Sequence, residues 1–370
     1  MRILHGVTVP SDRSGADRCP GLLRPHLADD GALVRLRLPG GRLKTATLHR
    51  LGDISIQHGA PFVQLTSRGN LQLRSLPNPL TPQLISQIEA TGLLPSASHE
   101  RVRNIIADPF DETLPPLVAA LDAALIAGQL LAGLSGRWLF AVAGREGQVL
   151  GEPYDVAFQR LSETSGRLLV GGMGVDCAPE DAVAAMLDRA RCFLRVRDDE
   201  SHWNVRDLPP ESPVFAGLAP VDVDAAPPPA PGRHTPDDAN QHAVVLGVPL
   251  GMLTIEQIEL LRRVAEEIVV TPWRSIVVRT DAVDIGLDVF EAGGFAVAAL
   301  SPWATLSACV GAPWCRRTDT PTVELTTAAA ASLPIDSPRT HVVGCERACG
   351  RPAGEHRLVI APRTVQEILP

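Results

Sequence analysis

Four of the chain's seven cysteines fall within its last 62 residues. Cys309 and Cys315 flank five residues in "SACVGAPWC", and Cys345 and Cys349 flank three in "GCERAC". Four thiolates kept reduced point to an iron–sulfur cluster or to zinc. Structural zinc favours tighter pairs, whereas a [4Fe–4S] cube is larger and suits wider spacing. Gly311, Pro313, Gly344 and Gly350 beside the ligands let backbone wrap a cluster and aim amides at its sulfurs. The quartet is therefore read as a [4Fe–4S] site, with a zinc staple or unconnected core thiols as alternatives. Cys177 and Cys192 lie outside the pattern. Cys192, near Leu187, Ala190 and Phe193 on one helix, reads as core. Cys19, in "DRCPGLLRP", reads as a buried thiol or, alternatively, an extra iron ligand.

The elements that position these residues belong to a large globular chain. It has 370 residues, 45% of them apolar, mean hydropathy +0.08, net charge −8 and pI near 5.7. An acidic balance argues against a nucleic-acid partner, which needs a basic footprint, but leaves room for a local arginine pocket. The N-terminus lacks a long apolar run, so no secretory signal is read there. Asp122 and Gln129 interrupt the most apolar stretch, residues 117–134, which predicts a buried helix rather than a membrane span. A cytoplasmic protein without a membrane partner is expected, and there clustered cysteines bind metal more often than they pair.

Residues 31–74 and 242–279 share a grammar. Pro39, Gly41 and Leu43 match Pro249, Gly251 and Leu253; Thr66 and Arg74 match Thr271 and Arg279. Each copy reads as a strand ending at Pro-Gly, then a helix, then further strand. In the first, Val34, Leu36 and Leu38 share a strand face. In the second, Thr254 is the expected N-cap, and Ile255, Ile258, Leu261, Val264 and Ile268 recur at helical spacing. Duplication follows. The expected organisation is a half-domain at 1–97, an α/β body at 98–208, a Pro/Ala-rich linker at 209–240, a second half-domain at 241–299 and the cysteine segment at 300–370.

C-x5-C followed by G-C-x3-C-G, in a chain of two repeated halves, resembles the sirohaem-dependent nitrite and sulfite reductases. "LTSRGNLQLR", residues 65–74, is similar to that family's arginine strand, and "RVRNIIADP", residues 101–109, to its Arg-Asn-x4-Pro segment. The resemblance implies an α+β fold of the duplicated nitrite/sulfite reductase type, two ferredoxin-like half-domains plus mixed α/β bodies. The family presents two lysines at the start of a strand that matches "LSGRWLFAVAG", residues 134–144. Here those places hold Arg137 and Leu139. Leucine neither binds an anion nor delivers protons, and multi-electron oxoanion reduction needs proton delivery.

The opening "RCPGLLRPHLADDGALVRLRLPGG" resembles instead the precorrin-3B synthase branch of the family. That branch implies hydroxylation of precorrin-3A at C-20 by dioxygen, with γ-lactone formation, in cobalamin biosynthesis. It implies the [4Fe–4S] cluster and a mononuclear non-haem iron; bound sirohaem belongs to the alternative, a sulfite or nitrite reductase. A uroporphyrin-derived macrocycle carries many carboxylates, which arginine binds bidentately. Arg68, Arg74, Arg103 and Arg137 are the expected tetrapyrrole-binding residues. Asn70 and Gln72 alternate with Arg68 on one strand face, so they are expected in the same cavity. Arg347 would offset cluster charge. "GGMGVD" lacks the context of a dinucleotide fingerprint, so a separate electron donor is expected, a ferredoxin or an NAD(P)H reductase.

Overall fold

A computed structural model describes residues 17, 19–197, 202–235, 242–280, 286–334, 336–352 and 355–370. The first half-domain comprises β1 (His26–Ala28), β2 (Gly31–Leu36), β3 (Arg42–Lys44), α1 (Thr45–His58), β4 (Phe62–Leu65), β5 (Leu71–Leu76) and α2 (Pro82–Glu89). The body follows with β6 (Ile105–Ala107), α3 (Pro115–Ala127), β7 (Phe140–Ala143), β8 (Val156–Arg160), β9 (Gly166–Val170), β10 (Met173–Asp176), α4 (Ala182–Val196) and β11 (Ala219–Pro220). The second half-domain holds β12 (Gly232–His234), β13 (His242–Gly247), β14 (Met252–Thr254), α5 (Ile255–Val264), β15 (Glu267–Val270), β16 (Ser275–Thr280) and α6 (Leu287–Ala292). The cysteine segment adds β17 (Leu306–Ala308), α7 (Thr322–Ala330), β18 (Thr340–Val343) and β19 (Arg357–Ile360). The fold is α+β, as expected.

The duplication is visible, with a connection the sequence grammar omitted. Each copy inserts a short strand between Pro-Gly and the helix, and that strand leaves its own sheet. β3 pairs with β15, Leu43 opposite Ile268. β14 pairs with β4, Leu253 opposite Val63. The sheets run β1-β2-β5-β4-β14 and β12-β13-β16-β15-β3, so each half-domain completes the other. The exchange needs a sharp swing after Pro39 and Pro249. Gly40 and Gly41 take φ of 68° and 74°, and Leu250 and Gly251 take 55° and 70°, the left-handed region. Thr254 caps α5 as expected: its Oγ accepts from Gln257 N at 3.3 Å, and Thr254 N donates to Gln257 Oε1 at 3.0 Å. Val34, Leu36, Leu48 and Leu51 of one copy and Val244, Leu246, Ile258 and Leu261 of the other share one core.

The body is a six-stranded sheet, β11-β10-β9-β8-β7-β6. Its one face carries α3 and α4 over Phe140, Phe158, Leu168 and Phe193. The apolar stretch from 117 ends as helix at Ala127, and Asp122 is half-buried on it. The linker takes part in both neighbours: β11 joins the body sheet, β12 the second half-domain, and Val221, Val223 and Ala225 pack on the body's other face. Its residues 236–240 lie outside the described residues. Among the described residues no helix is long and apolar enough to cross a membrane.

The exchange gives a test. A Cβ on Gly41 would collide with the carbonyl oxygen of Val270, whereas one on Gly92, also left-handed at φ 75°, would meet nothing within 4 Å. Gly92→Ala should cost about 1–2 kcal/mol, and Gly41→Ala roughly 3 kcal/mol or more, because backbone strain and overpacking add. Equal urea midpoints for the two variants would contradict the pairing of β3 with β15.

Candidate tetrapyrrole and cluster site

The four cysteines of the C-terminal segment meet because two parallel strands end level. β17 and β18 pair with Ala308 opposite Val342, so Cys309 and Cys345 leave neighbouring strand ends. Cys309 N donates to Val342 O at 2.9 Å, and Gly344 N donates to Cys309 Sγ at 3.3 Å. The loops after the two strands bring Cys315 and Cys349 back. Burial pushes the Cys349 thiol up; Arg347 opposes this, and Cys309, Cys345 and Cys315 raise it further, which places Cys349 within reach of the other three. Cys349 is exposed and the other three are half-buried. The cradle leaves no room for larger residues. A Cβ on Gly344 would strike the Thr318 side chain, and one on Gly311 the Thr322 hydroxyl. Ala348 and Gly350 lie at φ 47° and 78° on either side of Cys349. Among the described residues no three metal-ligating side chains stand close enough for a single ion. A cubane asks for wider spacing, since each thiolate binds its own iron.

The second cluster of functional groups covers one face of the first sheet. β2 alternates, so Val34 and Leu36 enter the core while Arg35 and then Arg37 face the other way. Arg35 stands opposite Gln72 on β5 and donates from Nη2 to Gln72 Oε1 at 3.0 Å. Gln72 Nε2 passes the chain on to Gln64 Oε1 at 2.9 Å. These cations are withdrawn from water. Burial, then Arg35, pulls Arg37 down to about 9. Burial also lowers Arg35 and Arg68, each feeling the repulsion of Arg137. Among the described residues, the buried Arg35 Nε and Arg37 Nε and Nη2 find no hydrogen-bond partner. Asp17 supplies the local counter-charge, with the neutral Cys19 thiol beside it. Burial pushes Asp17 up, but amides of Cys19 and Gly136 and the Cys19 thiol outweigh it and hold the carboxyl low. Cys19 itself is pushed up by burial and by Asp17. It sits in this pocket, not among the four clustered cysteines.

The six expected tetrapyrrole-binding residues thus separate. Arg68 is half-buried, with one long hydrogen bond, 3.4 Å from Nη1 to Gly136 O. Arg137 is exposed, its guanidinium carbon 5.0 Å from the Trp203 ring centroid. These two and Gln72 border the arginine pocket. Asn70 serves the scaffold: its Oδ1 accepts from Leu38 N and its Nδ2 donates to Asn104 Oδ1. Arg74 makes two hydrogen bonds to Asp30, at 3.1 and 3.2 Å, and a third to Trp314 O, next to Cys315. Arg103 forks onto Asp122 with two bonds of 2.7 Å. Arg74 and Arg103 therefore already hold carboxylates of this chain. Arg35 and Arg37 are the residues the spacing of known motifs missed; two arginines on the second face of the "LVRLRL" strand were the available signal.

The strand carrying Arg137 and Leu139 is fastened from behind. Asp155 accepts from Leu139 N at 2.8 Å, Val205 N at 2.8 Å and Asn204 Nδ2 at 2.9 Å, and Asn204 also donates to Arg137 O. Burial still pushes Asp155 up to about 6. Leu139 is 1% exposed and lies in the layer that Trp273 packs against.

Comparison with known proteins agrees with this architecture. A family model described as the nitrite/sulfite reductase ferredoxin-like half domain matches residues 26–91. The chain is 26% identical to a ferredoxin–nitrite reductase of Synechococcus elongatus, over 93% of this chain and 78% of that protein. It is 27% identical to a precorrin-3B synthase of a Sinorhizobium species, over 96% of this chain and 82% of that protein. The solved Mycobacterium tuberculosis NirA protein superposes with a TM-score of 0.65 at 20% identity, covering 86% of this chain and 69% of that one, a likeness of fold.

Two outcomes follow from the geometry. Arg103→Ala leaves Asp122 half-buried and unpaired and should cost about 2–4 kcal/mol; Arg68→Ala removes one weak bond and should cost less than about 1 kcal/mol. Urea denaturation separates them, and a larger loss for Arg68→Ala would reverse the assignment of scaffold and pocket. Asp155 bears on pH. Its folded carboxyl keeps a proton between about 4 and 6, where the unfolded chain has released it. Its contribution to stability is therefore fullest below about 4 and declines as pH rises through 6. Asp155→Asn should flatten the stability profile over that window relative to wild type; parallel profiles would refute this.

Proposed function

We propose, from the chain's membership of the nitrite/sulfite reductase superfamily, that it is a precorrin-3B synthase-like oxidoreductase. The tetrapyrrole is then the substrate: precorrin-3A, hydroxylated at C-20 with dioxygen and closed to the γ-lactone. One observation carries this reading over the reductase one. The chain has a single lysine, Lys44, exposed on β3. No lysine pair is available to bind and protonate an oxoanion, and Leu139 occupies closed core where an ammonium would be stranded without a partner. The identity to a ferredoxin–nitrite reductase keeps sirohaem-dependent reduction of sulfite or nitrite as the second reading.

In the first reading, Cys309, Cys315, Cys345 and Cys349 hold a [4Fe–4S] cluster, and a mononuclear non-haem iron stands with it. The bound cluster supplies single electrons. The chain's own residues do the recognition. Arg35 and Arg37 carry buried N–H groups without partners among the described residues, and Arg68 stands beside them, so a carboxylate-rich rim would gain charge-assisted bonds there. Arg137 closes the pocket from the body. Gln72 fixes the Arg35 guanidinium, while Arg74 and Arg103 act as positioning residues through Asp30 and Asp122. Electrons come from a separate donor, a ferredoxin or an NAD(P)H reductase.

The test is direct. Chain purified without oxygen should contain about four irons and inorganic sulfide, absorb broadly near roughly 400 nm, and release no sirohaem on extraction. Supplied with precorrin-3A, dioxygen and a reductant, it should yield the hydroxylated lactone by mass spectrometry. Tightly bound sirohaem together with sulfite or nitrite turnover would replace this reading with the second one.

A further inference from the structure

The turn between β15 and β16 presents a cation that neither half of the site uses. Arg274 has φ 56°, in the left-handed region, where the first copy has Gly69 at φ 61°. An arginine there is strained relative to glycine. Its stem is threaded past Gly251, whose added Cβ would stand 3.0 Å from Arg274 Cδ. Its Nη2 reaches 4.0 Å from where a Cβ would sit on Gly350, the residue after Cys349. His341 confirms the approach from another side. Its Nε2 lies 3.1 Å from Cys349 O, and Arg274 is one of the charges that disfavour its protonation. The guanidinium is largely withdrawn from water, and burial alone pulls it down: no carboxylate offsets it. Among the described residues no ion pair or side-chain hydrogen bond engages it.

A left-handed, largely desolvated cation with no carboxylate partner among the described residues stands beside the loop that carries Cys349. We propose that Arg274 is the charge-compensating residue of the cluster held by Cys309, Cys315, Cys345 and Cys349, and that it sets the cluster's reduction potential. The inference rests on the reading of that quartet as a cluster site. Reduction places one more negative charge on an already anionic centre, so a nearby buried cation favours the reduced form. Arg347 lies closer in sequence, but its side chain is exposed and therefore screened by water and salt. Arg274 acts through low dielectric and is not. It is a positioning and tuning residue, since it ligates nothing.

The experiment is a reductive titration of the anaerobically loaded full chain, followed by electron paramagnetic resonance, after iron and sulfide have been counted. Absence of iron and sulfide in wild type would remove the cluster reading itself, separately from the role of Arg274. With the cluster present, Arg274→Gln should shift the reduction equilibrium toward the oxidised form by about tenfold or more, which for one electron is about 59 mV. Arg347→Gln should shift it less, and its smaller effect should fade at high salt. Arg274→Lys should keep most of the wild-type potential. A loaded Arg274→Gln chain at the wild-type potential overturns the proposal. If Arg274→Gln does not hold the cluster, Arg274→Lys decides: wild-type potential supports the proposal, and a full shift or an empty chain overturns it.

Discussion

Everything in this molecule hangs on two short strands that leave home. β3 and β14 are each three residues long, too short to be stable alone, and each completes the sheet of the opposite half-domain. Neither half-domain closes its sheet without the other, so their common core forms as one unit. The exchange also aligns the two equivalent turns. Gly69 of the first lies against the Val270 carbonyl of the second strand pair, and Gly251 lies against the Leu65 carbonyl. Through that alignment the Arg68 turn faces the body, and the Arg274 turn faces the cysteine loops. One pairing decision thereby sets the distance between the arginine face and the cysteine loops.

The two copies then use the same sheet face in opposite ways. Where the first has Arg35, Arg37, Gln64 and Gln72, the second has Val245, Gly247, Val269 and Val277 at equivalent steps. The second face is dry; Ala243, Val245, Val269 and Val277 pack together with Phe110 of the body. Arg279, the counterpart of Arg74, is tied to Glu112 and to the Pro109 carbonyl. The first face keeps buried guanidinium groups that are short of partners among the described residues. Desolvating a cation without pairing it costs several kcal/mol, and the polyanionic substrate of the proposed reading would offset that cost. Duplication gave two platforms, and divergence filled one with methyl groups and left the other charged.

How far the residues could be read in advance follows from how local each feature is. The gathering of the four cysteines was legible because residues of one type at short spacing stay close in the fold. The Thr254 cap was legible for the same reason: capping is decided within four residues. The strand exchange was not, because Leu43 meets Ile268 across more than half the chain and no local signal marks it. Arg103 and Arg74 looked like site residues from their motifs. Their partners, Asp122 and Asp30, lie on other elements, and only the fold shows those carboxylates already claimed. Arg35 and Arg37 carry no motif, and only the fold shows that the body, Asp17 and Cys19 cover the strand face they share.

Leu139 shows why a single position carries so much of the functional argument. A missing lysine can be replaced by another donor from elsewhere, provided one reaches the pocket. Here the side chain at that place points into the layer beneath Trp273, its amide is pinned by Asp155, and the chain's one lysine is on β3. The pocket is lined by arginines, which hold their protons too tightly to hand them on at neutral pH. A site built from permanent cations is good at gripping carboxylates and poor at feeding protons to a bound oxoanion. In the proposed reading, a scaffold with one lysine and several buried arginines suits gripping a carboxylate-rich macrocycle better than feeding protons to a small anion.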